Sequence, residues 1–352
     1  MGDSEVLLIL LHWTPPEAFV RMLSQRSPGI RVIVHTTSMS DTEVPKEITD
    51  ETWASVTALL TWKLLPTKEQ APNLRYVQLL SAGANQIFGK PIFEDTDIDF
   101  CTANGVHPPQ IAEWVFATFL GFQHHLAEHY DNQKLGKWVD PESDEDVEDA
   151  VGLRVGILGY GCIGRQVARV AKAFGMESYA FTLHERPTAE SRKDDSFTEP
   201  AMGDPQGDFP SKWFSGTKQL NDFLDSDLDL LVITLPLTPL TKHMISAEQF
   251  TILSKKRTFL SNAGRGAIVH TEDLIEALQQ GKIRGAALDV TDPEPLPQDH
   301  PLWKAPNVTI TPHCSGNSNH YNERVLKILA YNLERKAQGK TVVNKVDRRL
   351  RY

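Results

Sequence analysis

Three short segments of this 352-residue chain carry the side chains that could do acid–base chemistry on a small charged molecule. Ser261-Asn262-Ala263-Gly264-Arg265-Gly266 sets an arginine between glycines. The glycines let a ligand approach the backbone, and a guanidinium grips a carboxylate with two parallel hydrogen bonds. On its own, such an arginine could equally pair with a surface acid. Ala287-Leu288-Asp289-Val290-Thr291-Asp292-Pro293-Glu294-Pro295-Leu296-Pro297 closes an apolar run with Asp289 and holds Glu294 between stiffening prolines. The plain alternative is a Pro-rich turn with solvated acids. Thr311-Pro312-His313-Cys314-Ser315-Gly316 adds a histidine. A His–Glu pair is an acid/base unit, because the carboxylate orients the ring and stabilises its cationic form.

All three segments follow short apolar runs that read as strands, so they fall at strand ends. The element that gives those ends meaning lies upstream. Val155-Gly156-Ile157-Leu158 is an apolar strand running into Gly159-Tyr160-Gly161-Cys162-Ile163-Gly164, and a helix begins at once. In this G-x-G-x-x-G, Gly159 allows the tight turn, Gly161 lets a pyrophosphate approach and Gly164 lets helix and strand pack closely. The helix N-terminus offers free N–H groups to the phosphates. The alternative is a glycine-rich turn without a ligand. Strands are expected at Arg154–Leu158, Ser178–Phe181, Leu228–Thr234, Thr258–Asn262, Gly285–Asp289 and Val308–Thr311. With intervening helices, these six make a doubly wound parallel sheet, whose carboxyl edge binds ligands.

The first hundred residues also alternate strand and helix. Val6–Leu11, Arg31–His35, Ala58–Thr61, Tyr76–Leu80 and Phe100–Thr102 read as strands. Pro16–Leu23 reads as a helix with Thr14 as cap and Pro15 at its first position. Ile111–Tyr130 has helical apolar spacing and is expected as one long helix. The acidic run Lys137–Asp149 reads as a solvated connector. The polar interval 187–216 is too long for an ordinary connection and is expected as an inserted loop over the surface. Asn319–Gln338 reads as a final helix, and the tail Asp347–Tyr352 as basic and exposed.

Composition is that of a soluble globular protein, with 40% hydrophobic and 23% charged residues and a net charge of −10. That charge argues against nucleic acid or an anionic membrane as partner. Cys101, Cys162 and Cys314 form no metal or redox pair, so no metal is expected and a reduced, cytoplasmic compartment fits best. The N-terminus is acidic and runs into a short apolar strand, not a signal peptide.

In order along the chain, Gly159–Gly164, Leu235-Pro236-Leu237-Thr238-Pro239-Leu240-Thr241, Asn262–Gly266, Leu288–Pro297 and Pro312–Gly316 resemble the D-isomer-specific 2-hydroxyacid dehydrogenase family. Asn104-Gly105-Val106-His107 leading into Ala112-Glu113-Trp114 resembles that family's entry to its inter-domain helix. The resemblance implies an α/β protein of two domains. A Rossmann cofactor domain, 126–316, is inserted into a smaller flavodoxin-like substrate domain, 1–125 and 317–352, with the active site in the cleft. It implies that Arg265 binds the substrate's carboxylate and keto oxygen, that His313 exchanges a proton with the carbonyl and that Glu294 pairs with His313. Backbone N–H groups of Ala82 and Gly83 match the second grip on the carboxylate, and Asp289 the nicotinamide-amide contact. Cys162, Ile163, Leu235 and Pro236 join the glycines in the cofactor-binding set, as do Thr241, Asn262, Ala263, His313 and Gly316. The expected function is reduction of a small 2-keto acid to the D-2-hydroxy acid, by a homodimer. Trp62, Phe88, His107 and Tyr321 are candidates for the substrate pocket or simply for core.

One departure bears on the cofactor. An NAD site places an acid at the end of the second strand, where it binds the ribose hydroxyls. Here Thr182 stands in that place, with His184 and Arg186 close behind. Loss of the carboxylate and a nearby guanidinium favour NADP, with NAD as the alternative because Glu185 lies close. Two competing functions are a dinucleotide-sensing, corepressor-like binding protein and a formate dehydrogenase-like enzyme; the latter branch carries Gln where this chain has Glu294.

Overall fold

The computed structural model describes residues 5–26 and 29–349. Residues 1–4, and 350–352 of the basic tail, lie outside them. By packing the chain forms two compact units, Met1–Val106 with Asn319–Tyr352, and His107–Ser318.

The first unit is built on five strands, β1 (Val6–Leu11), β2 (Arg31–Thr36), β3 (Ala58–Thr61), β4 (Tyr76–Leu79) and β5 (Asp99–Cys101). They pair in parallel in the order β2-β1-β3-β4-β5, the flavodoxin-like order. Every residue of β1, β3 and β4 is buried, which is why they read as continuous apolar runs rather than alternating ones. Helices α1 (Glu17–Arg26), α2 (Asp50–Ser55) and α3 (Pro91–Glu94) belong to this unit, as does the C-terminal helix Tyr321–Ala337. A buried polar network ties that helix back to the sheet. Asn332 accepts from the Val343 N–H at 2.8 Å and donates to Gln78 Oε1 at 3.3 Å. The Tyr76 hydroxyl donates to the same oxygen at 2.6 Å.

The second unit holds seven strands, β6 (Arg154–Leu158), β7 (Glu177–Thr182), β8 (Pro210–Ser215), β9 (Leu230–Ile233), β10 (Phe259–Asn262), β11 (Gly285–Leu288) and β12 (Val308–Ile310). All pair in parallel, in the order β12-β11-β10-β9-β6-β7-β8. This is the doubly wound Rossmann order, with its switch point between β6 and β9. The helices are α4 (Pro108–Gln123), α5 (Leu126–Lys134), α6 (Cys162–Ala173), α7 (Ala189–Arg192), α8 (Leu220–Leu224), α9 (Ala247–Leu253) and α10 (Thr271–Gln279). Helix α4 packs on α6, β10 and β11. It therefore groups with this sheet, although the boundary expected from the sequence falls after it.

Several expectations are corrected. The sheet has seven strands rather than six, because 187–216 is not only a surface loop. It contains α7 and the edge strand β8. Its middle is anchored by Arg165, which is buried. Arg165 donates to the Asp204 carbonyl at 2.5 Å and to the Arg192 carbonyl at 2.7 Å, and lies 3.7 Å from Asp194. The buried Asp204 carboxylate accepts from the Tyr160 hydroxyl at 2.7 Å and from two backbone N–H groups.

The long helix 111–130 breaks at His125, whose φ is 51°. The buried face of α4 ends at Gln123, and α5 buries no residue, so no core packing holds the second segment on the first one's axis. Thr14 does not cap α1. Its hydroxyl meets that of Thr36 at 3.3 Å, and Pro16 accepts the first helical hydrogen bonds. The tail is not free throughout: Arg348 donates to the Ile98 carbonyl at 3.0 Å and stacks over Phe93.

Candidate active site

The Gly159–Gly164 turn is shaped by what each glycine meets. Gly159 has φ +112°, a conformation that disfavours a side chain, and an added Cβ would lie 3.0 Å from Thr234 Oγ1 and 3.1 Å from Leu235 N. At Gly164 an added Cβ would overlap the Gly159 carbonyl oxygen and press on Ile157. At Gly161 it would meet nothing within 4 Å. The open side of the turn therefore faces away from the protein, at the N-terminus of α6, whose first residues are the buried Cys162 and the half-buried Ile163. This is the cradle a pyrophosphate requires. It lies at the switch point, where β6 and β9 diverge.

At the ribose side, β7 ends on Thr182, so no acid occupies the strand end. The Thr182 hydroxyl donates to the His184 carbonyl at 2.7 Å. His184, Glu185 and Arg186 are exposed. Arg186 donates to the Ser191 carbonyl at 2.5 Å, and Arg192 returns a bond to the Arg186 carbonyl at 2.8 Å. The loop is thus folded by its own guanidinium groups.

The loops after β9 and β10 are closely packed. Thr241 is buried and its hydroxyl donates to the Pro236 carbonyl at 2.8 Å. Leu235 is half-buried against the core. Asn262 folds the next loop from inside, donating to the Arg265 carbonyl at 3.1 Å and accepting from the Gly264 N–H at 3.1 Å. Ala263 N–H bonds to the Ile233 carbonyl at 3.1 Å. A Cβ at Gly266 would overlap the Thr291 carbonyl, so this position admits only glycine. That approach sets the Arg265 loop against the loop that carries Glu294. Arg265 is half-buried and donates to the Gly264 carbonyl at 2.7 Å. Burial lowers the pKa of its guanidinium, and the Glu294 charge opposes that shift.

Glu294 and His313 meet directly: Oε1 lies 2.6 Å from Nδ1. Nε2 of His313 has no hydrogen-bond partner among the described residues. His313 has φ 52°, an uncommon conformation outside glycine. Two groups hold it. The Asp289 carbonyl accepts the His313 N–H at 2.8 Å. The buried Asp289 carboxylate accepts from the Thr311 hydroxyl at 2.5 Å, from the N–H groups of Cys314 and Ser315 at 2.9 and 3.0 Å, and from the Ser315 hydroxyl. Four donors fill a carboxylate's acceptor sites. Asp289 therefore anchors the histidine turn. On the other side of the turn, the Gly316 carbonyl accepts from Gln110 at 2.9 Å and meets His107 Nδ1 at 3.0 Å. Sequence reasoning missed this support. Its only signal was the short spacing between His107 and Gln110 at the start of α4.

In the first unit, the loop after β4 carries Ala82 and Gly83. Among the described residues, neither backbone N–H donates a hydrogen bond. The Ser81 hydroxyl closes the loop on the Gly83 carbonyl at 2.7 Å. Of the other candidates, Tyr321 donates to the Leu80 carbonyl at 2.8 Å, and Phe88 packs against the core. Among the described residues, no group of three or more His, Cys, Asp or Glu could hold a metal ion, and no helix is long and apolar enough to cross a membrane.

The sequence model of the D-isomer specific 2-hydroxyacid dehydrogenase NAD binding domain matches residues 116–202 and 212–315. A glyoxylate reductase of Aeropyrum pernix is 33% identical over 292 residues, covering 79% of this chain and 78% of that protein. A glyoxylate/hydroxypyruvate reductase B of Yersinia enterocolitica is 33% identical over 261 residues, 72% of this chain and 71% of that one. The crystal structure of a D-isomer specific 2-hydroxyacid dehydrogenase from Xanthobacter autotrophicus, in complex with NADPH and MES, has a TM-score of 0.73 and 25% identity. That similarity covers 99% of this chain and 100% of the other. A Rossmann sheet with a glycine cradle and a His–Glu pair beside a half-buried arginine defines a nicotinamide-dependent oxidoreductase. The chain belongs to the D-isomer specific 2-hydroxyacid dehydrogenase family.

Proposed function

We propose that the protein reduces a small 2-keto acid to the D-2-hydroxy acid, with NADPH as preferred cofactor. The observation that carries this reading is the 2.6 Å contact of His313 Nδ1 with Glu294 Oε1, which leaves Nε2 without a protein partner among the described residues. The residues of the cradle fit a dinucleotide, because the Gly161 side of the turn is open where a Cβ would project. When bound, the cofactor supplies the hydride.

The protein's own groups do the rest. Arg265 neutralises the substrate carboxylate and polarises the carbonyl, and its half-burial strengthens both interactions by excluding solvent. Ala82 and Gly83 offer their N–H groups to the same carboxylate. His313 gives the proton from Nε2 as negative charge develops on the carbonyl oxygen, and Glu294 holds the imidazolium until it does. In oxidation, the same nitrogen takes the proton back.

Thr182, His184 and Arg186 support the preference for NADPH. The strand end carries no acid, and Arg186 keeps part of its guanidinium beyond its single bond to Ser191. We also read the protein as a cytoplasmic homodimer. Leu126, Tyr130, Leu135 and Trp138 all stand exposed along one excursion of the chain, and such concentrations of apolar surface mark association sites.

A spectrophotometric screen of 2-keto acids with NADPH and NADH tests the reading. Turnover of glyoxylate or hydroxypyruvate, faster with NADPH, supports it. Absence of turnover with every 2-keto acid contradicts it.

A further inference from the structure

Helix α6 begins at the glycine cradle and turns one face to the interval between β7 and β8. Arg165, Gln166, Arg169 and Lys172 share that face by helical spacing. Gln166 Oε1 accepts from the Gly203 N–H at 2.7 Å, and Arg169 Nε donates to the Gly203 carbonyl at 2.7 Å. The Arg169 and Lys172 cations lie 5.5 and 4.5 Å from the Phe209 ring centroid. The later part of the interval, 192–209, is therefore packed along the helix.

The centre of this packing is a buried cation. Arg165 is 4% exposed. Its guanidinium lies 5.1 Å from the Tyr160 ring centroid and 3.7 Å from the Asp194 carboxylate. Burying a guanidinium is costly unless a counter-charge and hydrogen bonds meet it, and here both do. Two of its nitrogens donate to backbone carbonyls, those of Asp204 and Arg192.

Arg192 joins this packing to the ribose side. A Cβ at Gly207 would overlap the Arg192 carbonyl and press on its side chain, so the two stretches of chain meet at closest approach. The Arg192 guanidinium lies 5.5 Å from the ring centroid of Trp213 on β8. Its Nε donates to the Arg186 carbonyl at 2.8 Å.

Arg186 itself stands on a stretch, 183–190, whose residues are all exposed. Its bond to the Ser191 carbonyl and the Thr188–Ser191 capping box give that loop a shape. They do not tie the loop to the helix of the cradle. The path from Arg165 through Arg192 does. A charged group already held in place loses less freedom on binding, so it binds an anion more tightly than a mobile one.

We propose that Arg165 is a positioning residue for cofactor choice: by fixing residues 192–209 on α6, it holds Arg186 beside the end of β7, in readiness for a 2′-phosphate. The inserted interval is then a brace that links the cradle's own helix to the ribose loop. This rests on the NADPH reading above and adds to it the residue that sets the loop.

The test is calorimetric titration of the full-length protein with NADPH, NADH, 2′,5′-ADP and 5′-AMP. Wild type, Arg165→Met, Arg186→Ala and the double variant are compared. Wild type should bind NADPH better than NADH, and 2′,5′-ADP better than 5′-AMP. Arg165→Met should reduce both preferences by about tenfold, through the 2′-phosphorylated ligands alone. Its affinity for NADH should stay within about twofold of wild type, and the double variant should lose no more than Arg186→Ala alone, because Arg165 acts through Arg186. Losses that add, a preference unmoved in Arg165→Met, or equal weakening of NADPH and NADH overturn the positioning role and leave the NADPH reading in place. If Arg165→Met does not fold, Arg192→Leu decides by the same cycle, since it removes the bond to the Arg186 carbonyl from a half-buried position. A wild type that binds NADH as well as NADPH overturns the NADPH reading and the positioning role with it.

Discussion

Asp289 holds His313 in place without touching its ring. The Asp289 carbonyl takes the His313 N–H at 2.8 Å, and its carboxylate takes the next two backbone N–H groups, of Cys314 and Ser315. The left-handed backbone at His313 is therefore fixed by one buried acid.

Asp289→Asn replaces an oxygen that accepts by an amide that donates, and each carboxylate oxygen faces one backbone N–H, of Cys314 or Ser315, that cannot turn away. Stability should fall by about 1–3 kcal/mol, the usual cost of leaving buried polar groups unpaired. The kcat should fall with it as the histidine turn loosens. Urea unfolding with steady-state kinetics checks this, and a variant within about 0.5 kcal/mol of wild type with full activity contradicts it.

Glu294→Gln keeps a side chain of the same shape but removes the charge beside His313. In the proposed reduction, His313 gives a proton, so the rate should depend on its cationic form. Losing the anion that stabilises it should move the alkaline limb of the rate profile to lower pH and reduce kcat. An unchanged profile would detach Glu294 from proton transfer.

Much of this arrangement is legible in the sequence, for identifiable reasons. Gly159, Gly161 and Gly164 each answer to a different steric demand, so their spacing can be read directly. Buried parallel strands such as β1, β6 and β9 show as short apolar runs between turn residues. Strand β8 does not, because it is the sheet's edge and most of Pro210–Ser215 stays partly exposed. Its polar residues resemble a loop. The break at His125 was hidden because apolar spacing continues past it, while the core that would use it ends at Gln123. The role of Asp289 could not be read at all. It depends on donors from Thr311, Cys314 and Ser315, which only the folded turn brings around it.

The proposed preference for NADPH rests on the end of β7. Thr182→Asp puts a carboxylate where a 2′-phosphate is expected, so NADPH should bind about 5–150-fold more weakly, a cost of about 1–3 kcal/mol. NADH should gain, since its ribose hydroxyls can donate to the new acid. Arg186→Ala should weaken NADPH and affect NADH little. Titrating both cofactors by protein fluorescence reads the affinities directly. A wild type that binds NADH better, or a ratio unmoved in both variants, would show that another group reads the ribose.

Burial raises several weak acids in the first unit. The Cys101 thiol is pushed up to about 12 and the Tyr321 phenol to about 12, chiefly by desolvation. Tyr76 is raised as well. The folded protein keeps these groups neutral, whereas the unfolded chain ionises them from about pH 8 upward. Their contribution is therefore complete only below about pH 8 and is lost as pH climbs toward 12. The urea midpoint should decline over that interval, with a shallower slope in Cys101→Ala. A midpoint constant from pH 8 to 11 contradicts this assignment.

The most direct measurement is the turnover of a 2-keto acid by His313→Ala, with the configuration of the wild-type product determined alongside. Wild type should yield the D-2-hydroxy acid. In the variant kcat should fall by about 10²–10⁴-fold, while the dissociation constant for NADPH, measured by fluorescence, stays within about twofold. A variant with near-normal kcat, or a wild type that yields the L-product, would contradict the assignment of His313 as proton donor in a D-specific reductase.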